Sequence, residues 1–275
     1  MSDFFPKAVL FDYFGTLTRA VRQGPSHRQM ALRLGCDPDE WLALMARTFY
    51  SRATGRLGDP TEVLGLFARY LGAAPPDRML RIVRAQRIAA IAADAPLRPQ
   101  AVPVLRELRR RGLRTAVISD CWYELPALLP HLPINPLLDA RVYSVEVGRC
   151  KPHPVMYLAA CERLGVALRE CLYVGDGGSR ELSGAQALGM WAVRLTAPDL
   201  VEHLSYAPDE DFRGPSIASL DELLPLLDAP PPYRSGDNGG SQDGGTEAHG
   251  AGDPRVARQW RSCPPGRENR SLIAN

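Results

Sequence analysis

The sequence predicts an α/β fold in which a parallel, Rossmann-like sheet is covered by helices and carries an inserted helical segment. Short apolar runs of strand type alternate with segments of helical spacing after residue 96, as in parallel sheets with helices on both faces. A long stretch of helical spacing separates the first apolar run from the others. Polar residues directly follow three of the predicted strands, where the sites of such sheets gather.

The first strand is predicted at 8–11, where an apolar run leads into Asp12. Gly15 and Thr16 follow, which indicates a tight turn. From about residue 19 to 94, apolar side chains recur at three- and four-residue intervals between Gly-Asp-Pro and Pro-Pro breaks. This stretch is predicted to form roughly four helices.

Helices and strands alternate beyond residue 96. The predicted elements are a helix at about 99–111 that ends at Gly112, strands at 115–120 and 141–145, a helix at 153–164 that ends at Gly165, a strand at 171–174, a helix near 180–188, a strand at 191–193 and a short helix at 221–227. We therefore assign 1–18 and 96–228 to an α/β core and 19–95 to a helical insertion.

The last segment, 229–275, differs in composition from the rest of the chain. It turns to Pro, Gly, Ser and Asp and has far fewer apolar residues than the rest of the chain. Such a segment cannot bury enough apolar surface to fold alone. We predict a disordered tail.

The overall composition limits the partners and the compartment. With 45% apolar residues and a formal net charge of +2, the chain has no electrostatic reason to bind nucleic acid or an anionic membrane. Its apolar stretches end well before ~18 residues, and its acidic N-terminal segment is unlike an export signal. Six cysteines without C-x-x-C spacing favour reduced thiols. We predict a cytoplasmic monomer or homodimer.

Asp12, Ser119 and Asp176 lie at the carboxyl ends of three different predicted strands. Because the carboxyl ends of parallel strands meet at one edge of a sheet, we expect these side chains to converge. The turn after Asp12 would offer N–H groups to an anion while the carboxylate attacks it. A structural interpretation is also open, in which the two acids cap turns and Ser119 caps a helix.

Lysine is rare in this chain. Only Lys7 and Lys151 are lysines among the 33 basic residues, so arginine supplies nearly every positive charge. A lysine in the middle of the chain therefore suggests a specific role, because a compact ammonium differs from a planar guanidinium. The alternative is a solvated loop cation.

Four segments resemble, in order, the signatures of the haloacid dehalogenase-like (HAD) superfamily. They are Phe11-Asp12-Tyr13-Phe14-Gly15-Thr16-Leu17-Thr18, then Ile118-Ser119, then Lys151-Pro152-His153-Pro154-Val155-Met156-Tyr157, and finally Val174-Gly175-Asp176-Gly177-Gly178-Ser179-Arg180-Glu181. The similarity spans about residues 7–200. It implies a hydrolase whose helical cap is inserted between the first and second signatures.

The resemblance implies a role for each matching residue. Asp12 would be the nucleophile, and Ser119 would donate a hydrogen bond to a substrate oxygen. Lys151 would neutralise the nucleophile and the anion that it attacks. Three residues in or beside the signatures would contact the substrate: Gly15, Thr16 and Asp120.

The resemblance also implies a Mg²⁺ site. Its ligands would be Asp12, the backbone carbonyl of Phe14, Asp176 and Glu181. Mg²⁺ accepts a few such oxygen ligands and keeps several waters. Glu181 has an alternative role as a first-turn acid that stabilises a helix N-terminus.

Phe14 departs from the pattern of the family's phosphatases, which usually carry a second Asp at this position as general acid. Phe cannot move a proton, and the loss of such a catalyst typically costs on the order of 10²–10⁴ in rate. Haloacid dehalogenases resemble this sequence in having an aromatic residue there, and they use no metal. Phosphonoacetaldehyde hydrolases use a cap lysine, which residues 19–95 lack.

The fourth signature favours a metal-dependent enzyme instead. Asp176 and Glu181 resemble a metal-binding version, whereas dehalogenases have Ser and Asn there. Asp120 is a carboxylate where dehalogenases have Asn. We hypothesise that Asp120, water or the substrate itself protonates the leaving group.

Three arginines of the insertion, Arg47, Arg52 and Arg56, lie in or beside one helical segment. The first two are candidates for binding a carboxylate or phosphate of the substrate. The alternative is that arginines at helical spacing form a solvated helix face.

The sequence thus predicts a Mg²⁺-dependent HAD-type hydrolase that forms an aspartyl intermediate and acts on a small anionic, phosphorylated metabolite. A metal-independent 2-haloacid dehalogenase is the first alternative. A catalytically weak HAD-like binding protein is the second, because a fold alone does not establish activity.

Overall fold

A computed structural model describes residues 6–228 of the chain. One parallel sheet has the strand order β3-β2-β1-β4-β5-β6. The strands are β1 Ala8–Phe11, β2 Arg114–Ser119, β3 Ala140–Tyr143, β4 Cys171–Gly175, β5 Trp191–Leu195 and β6 Ser216–Ile217. The predicted α/β fold is confirmed.

Apolar strands at the centre of the sheet explain its burial on both faces. Every residue of β1 is buried, and Leu10 is in register with Ala116 of β2 and Tyr173 of β4. Successive side chains of a strand point to opposite faces. Accordingly, Val9 and Phe11 pack in one apolar cluster, whereas Leu10 packs in another.

Helices cover the two faces of the sheet. The helices of the insertion are α1 Pro25–Arg33, α2 Pro38–Arg47, α3 Phe49–Ala53, α4 Pro60–Tyr70 and α5 Asp77–Asp94. Those that follow it in the chain are α6 Ala101–Arg110, α7 Glu124–Leu128, α8 Ser144–Val147, α9 Pro154–Leu164, α10 Glu181–Ala187 and α11 Leu223–Asp228. Helices α6, α7 and α11 contribute to the apolar cluster on one face, and α9 and α10 to that on the other.

The insertion between β1 and β2 has an apolar core of its own. Trp41, Leu44, Leu64 and Phe67 are among its buried side chains. Aspartates cap two of its helices, since Asp37 and Asp59 each accept hydrogen bonds from the first-turn N–H groups of α2 and α4. Such caps satisfy donors that a helix leaves unpaired.

The structure differs from the predicted elements in three places. The insertion holds five helices, because Thr48 interrupts the predicted helical segment between α2 and α3. The strand predicted at 141–145 ends at Tyr143, where α8 begins. Strand β6 has two residues and was too short to be recognised by periodicity.

Three predictions from the composition concern membrane-spanning segments, the cysteines and the C-terminal segment. In residues 6–228, no helix combines the length and apolarity needed to cross a bilayer. The cysteines of this part, Cys36, Cys121, Cys150, Cys161 and Cys171, are free thiols. The predicted disordered tail, 229–275, lies outside the described residues.

Candidate active site

The turn after β1 brings Asp12 to the carboxyl edge of the sheet. The N–H of Asp12 donates to the carbonyl of Val174 in β4, at 2.9 Å, and the side chain is buried. Residues 13–17 form an irregular turn in which Gly15 has φ +81°. A Cβ atom there would lie 2.8 Å from Nε2 of His203, so only glycine fits.

Two substrate-binding candidates of this turn have different surroundings. The N–H of Gly15 donates to Oγ1 of Thr18 at 3.0 Å, so within the free chain this donor is already engaged. The hydroxyl of Thr16 is buried and has no hydrogen-bond partner in residues 6–228. Buried polar groups are nearly always hydrogen-bonded, so an unpaired one points to a missing partner.

Lys151 lies just before α9 and reaches the same edge. Its Nζ is 2.5 Å from Oδ1 of Asp12 and 2.5 Å from Oε2 of Glu181. Burial alone would lower the pKa of Lys151, but the carboxylates of Asp12 and Glu181 outweigh it and raise this pKa well above its ordinary value. The side chain is therefore a buried, charged ammonium.

The carboxyl group of Asp12 is harder to ionise than an ordinary aspartate. Burial raises its pKa from 3.8 to about 6, against the opposing effect of Lys151, and the nearby Asp176 raises it further. Removing a carboxylate from water disfavours its charged form. A further cation beside Asp12, in addition to the ammonium of Lys151, would lower the pKa of Asp12 again.

Glu181 begins α10 and is completely buried. Its Oε2 accepts from the hydroxyl of Tyr173 at 2.8 Å as well as from Lys151, and its Oε1 accepts from the N–H of Gly177 at 3.1 Å. Burial, followed by the charge of Asp12, raises the pKa of Glu181 well above its ordinary value. Glu181 thus holds Lys151 in place.

Asp176 follows β4 and completes an acidic cluster. One ligand atom each from Asp12, Asp176 and Glu181 lies within 4.8 Å of the others. Asp120 adds a fourth carboxyl group to this edge and accepts from the backbone N–H of Lys151. Within residues 6–228, the ammonium of Lys151 is the lysine charge that contacts the cluster. This excess of buried negative charge suits a divalent cation with oxygen ligands.

Ser119, the last residue of β2, and Asp120, which follows it, face different surroundings. Ser119 is buried, lies outside the cavity wall, and its hydroxyl has no hydrogen-bond partner in the described part of the chain. Oδ1 of Asp120 accepts from the N–H of Lys151 at 2.9 Å, and Asp120 lines the cavity. Burial raises the pKa of Asp120.

His203 lies beside these acids, although no pattern in the sequence selects it. Its Nδ1 accepts a hydrogen bond from the N–H of Val21 at 2.8 Å, so a neutral imidazole carries its proton on Nε2. That Nε2 lies 3.3 Å from Oδ2 of Asp176. His203 belongs to an irregular loop after β5, where no periodicity or motif marks a functional residue.

A second unpredicted feature is the backbone between Asp176 and α10. Ser179 and Arg180 are consecutive non-glycine residues with φ of +54° and +52°. Their N–H groups donate to the carbonyls of Tyr206 and Ala207 at 2.6 and 3.1 Å. Such strained conformations persist only where the surroundings enforce them, and they are common at active sites.

A cavity of about 150 Å³ lies between this edge and the insertion. Asp12, Lys151 and Asp176 line one end. The other end is lined mainly by aromatic and apolar side chains: Trp41, Leu42, Met45, Phe49, Ile91, Trp122 and Leu125. The rings of Phe49 and Tyr206 stack with centroids 4.0 Å apart and join the insertion to the loop after β5.

The structure separates the two arginine candidates. Arg52 is buried and lines the cavity, where its guanidinium lies 5.0 Å from the ring centroid of Trp122. Arg47 is exposed, and its guanidinium lies over the ring of Tyr70, outside the cavity wall. Arg47 therefore does not line the cavity, and its predicted contact with the substrate stays a prediction that this arrangement does not support.

Comparison with known proteins adds relatives of two activities. A family model described as haloacid dehalogenase-like hydrolase matches residues 6–189. The chain is 30% identical over 195 residues to a glyceraldehyde 3-phosphate phosphatase of Methanopyrus kandleri. This alignment covers 69% of this chain and 83% of that protein. It is 31% identical over 130 residues to (S)-2-haloacid dehalogenase 4A of Burkholderia cepacia, or 47% of this chain and 54% of that protein.

A solved structure agrees with the fold. L-2-haloacid dehalogenase from Xanthobacter autotrophicus matches with a TM-score of 0.57 and 21% sequence identity. The match covers 81% of this chain and 98% of that one. At this identity the likeness concerns the fold alone.

Proposed function

Because the chain belongs to the haloacid dehalogenase-like hydrolases, we propose that it is a Mg²⁺-dependent phosphatase that forms an aspartyl intermediate. The observation that carries the proposal is the excess of carboxylates around one ammonium at the carboxyl edge of the sheet. A dehalogenase that uses no metal has no need for such an excess. A phosphoryl group needs a compensating cation.

The residues fit a Mg²⁺ ion. Asp12 and Asp176 would hold it with the backbone carbonyl of Phe14, and it would offset charge on the phosphoryl oxygens when bound. Glu181 faces the same cluster, but its two oxygens already accept hydrogen bonds. We therefore assign Glu181 first to positioning Lys151.

Asp12 would attack phosphorus with one carboxylate oxygen as the bond to the leaving oxygen breaks. Lys151 contacts Oδ1 of Asp12 and would stabilise both the nucleophile and the phosphoryl oxygens. The fixed ammonium and the buried turn give the carboxylate one orientation. Water would then hydrolyse the acyl phosphate and release inorganic phosphate.

The leaving oxygen requires a proton that Phe14 cannot supply. Asp120 lines the cavity, and burial raises its pKa, which favours the protonated acid that a donor needs. We propose that Asp120 protonates the leaving group of poor substrates. An Asp120→Asn variant should then lose activity most on substrates with basic leaving groups, and full kcat at all pH values would exclude this role.

The helical insertion would act as a cap that excludes water from the first step. Its contacts with the loop after β5 and the apolar lining of its cavity support this role. We expect the substrate to be small and anionic. The cytoplasmic location and the monomeric or homodimeric state stay predictions from the sequence.

The decisive experiment is a phosphatase screen of wild type and Asp12→Asn, each with Mg²⁺ and with EDTA. We expect turnover of phosphate esters or acyl phosphates only in wild type with Mg²⁺, and a loss of about 10⁴-fold or more in Asp12→Asn. Turnover that survives Asp12→Asn would contradict a nucleophilic role. Absence of any turnover would favour the binding-protein alternative.

The dehalogenase alternative has support from the aromatic Phe14 and from the dehalogenase relative. It makes a different prediction in the same experiment. Halide release from 2-haloacids would continue in EDTA, whereas phosphate release would not occur at all. The addition of EDTA therefore distinguishes the two activities.

A further inference from the structure

Two buried arginines lie against Trp122 at the insertion end of the cavity. Their guanidinium carbons are 5.0 Å (Arg52) and 5.6 Å (Arg87) from the centroid of the ring. Nη2 of Arg87 forms an ion pair with Oε1 of Glu124 at 2.6 Å. The two arginines lie in similar positions. A comparison of their ion pairs and hydrogen bonds therefore shows which guanidinium lacks a carboxylate partner.

Arg52 has only neutral acceptors. Its Nε donates to Oγ1 of Thr48 at 3.3 Å, and its Nη2 donates to the carbonyl of Met45 at 2.5 Å. In residues 6–228, its guanidinium forms no ion pair with a carboxylate. Burial, followed by the charge of Arg87, lowers the pKa of Arg52 to about 10. Arg52 is a buried cation in need of an anion.

Glu124, the carboxylate that lines this end, is engaged by Arg87. His27 lies 2.7 Å from Oδ2 of Asp94, and burial lowers the pKa of His27, so its ring adds no positive charge. Among the cations that line the cavity in the described residues, Arg52 is the one without a carboxylate partner. A monoanion would balance its charge, and a planar guanidinium matches the two oxygens of a carboxylate.

We propose that the cavity binds substrates with two anionic groups, in which a carboxylate is held by Arg52 over Trp122 while Asp12 attacks the group at the opposite end. This carboxylate site extends the proposed function. It rests on that function only for the identity of the group that Asp12 attacks, a phosphoryl group. The cavity of about 150 Å³ keeps the organic part small, since an engineered cavity of this volume binds benzene. The preferred class is thus a phosphorylated carboxylic acid.

The test compares matched phosphonates that cannot be hydrolysed. Alkylphosphonates are paired with ω-carboxyalkylphosphonates of the same length, in a series of increasing chain length, and titrated calorimetrically into the full-length protein with Mg²⁺. One chain length should bind about 10- to 100-fold more tightly than its uncharged partner, as expected for a charged hydrogen bond in a buried site. That preference should vanish in Arg52→Met.

Two control variants separate binding from folding. Arg52→Lys keeps the charge and should retain part of the preference, and the plain alkylphosphonate should bind Arg52→Met as it binds wild type. Arg47→Met removes an exposed arginine that stacks on Tyr70, and it should keep the whole preference. A carboxylate preference that persists in Arg52→Met, or that is absent at every length in wild type, would overturn the proposal.

The phosphatase assignment can fail separately. If no phosphonate binds with Mg²⁺, the attacked group is not a phosphoryl group. Short aliphatic carboxylates alone then decide the matter. Binding that Arg52→Met abolishes would support the carboxylate site, and no binding to wild type would overturn it.

Discussion

The two ends of the cavity carry opposite excess charge. At the sheet edge, Asp12, Asp120, Asp176 and Glu181 lie around Lys151. At the insertion end, Glu124 pairs with Arg87 and leaves Arg52 without a carboxylate partner in the described part of the chain. Buried charges without partners destabilise a folded protein. These two excesses motivate the proposals of a cation site at the sheet edge and an anion site at the insertion end. The free chain is thus electrostatically incomplete at each end, in opposite senses.

The largest expected effect comes from unbalancing the insertion end further. Glu124→Gln leaves Arg87 buried and unpaired beside Arg52, so we expect the free energy of unfolding to fall by about 3–5 kcal/mol. Urea unfolding measures this. The exposed pair of Asp39 with Arg28 is the control, because solvent screens it and Asp39→Asn should change the free energy of unfolding far less. Equal effects of the two substitutions would remove the contrast between the sites.

Removing the ammonium of Lys151 from the sheet edge should slow the chemical step of catalysis. We expect Lys151→Met to lower kcat about 10²- to 10³-fold with saturating Mg²⁺, because the nucleophile and the phosphoryl oxygens lose a fixed positive charge. Lys7 is the matched control, since its side chain is 66% exposed and pairs with Glu170. Steady-state kinetics of both variants make the comparison. Equal losses would show that the effect of Lys151→Met is not local.

The acidic end should also make stability depend on pH. The folded-state pKa of Asp12 is about 6, above its ordinary 3.8. The folded protein therefore favours the protonated form, so this contribution is present below about pH 4 and is lost as pH rises towards 6, by about 3 kcal/mol.

Urea unfolding in EDTA at pH 4.5 and 7 tests this dependence, with Asp12→Asn as the reference. Relative to that variant, wild type should lose stability at the higher pH, and Mg²⁺ should restore it there. A difference between the two proteins that is the same at both pH values would contradict the raised pKa.

The smallest effect has an unusual sign. Arg52→Met removes an unpaired buried cation and keeps much of the side-chain volume, so we expect the ligand-free protein to become more stable by about 1 kcal/mol. A modest rise in Tm would show this. A marked fall would mean that the hydrogen bonds of Arg52 to Thr48 and Met45 outweigh its charge, and that its role is structural.

The acidic end was predictable from the sequence, whereas the basic end was not. Asp12, Ser119 and Asp176 lie at the carboxyl ends of apolar strands, so the parallel topology dictates that they converge. Arg47 and Arg52 have the same helical spacing and cannot be told apart in this way. The helix ends between them, at Thr48, and Arg52 turns inwards to donate to its hydroxyl.

His203 illustrates a second limit of prediction from the sequence. It reaches Asp176 because Val21 binds its Nδ1 and because Gly15 leaves room beside it. These contacts join segments far apart in the chain. No local spacing encodes them, whereas the four signatures are local and could be read directly.

The stacked rings of Phe49 and Tyr206 have a consequence for the timing of turnover. They join a helix of the insertion to the loop that also carries His203, and both rings line the cavity. The insertion cannot move away from this loop without separating the two rings. The lifetime of the stack therefore sets an upper limit on how often the insertion and the loop can part.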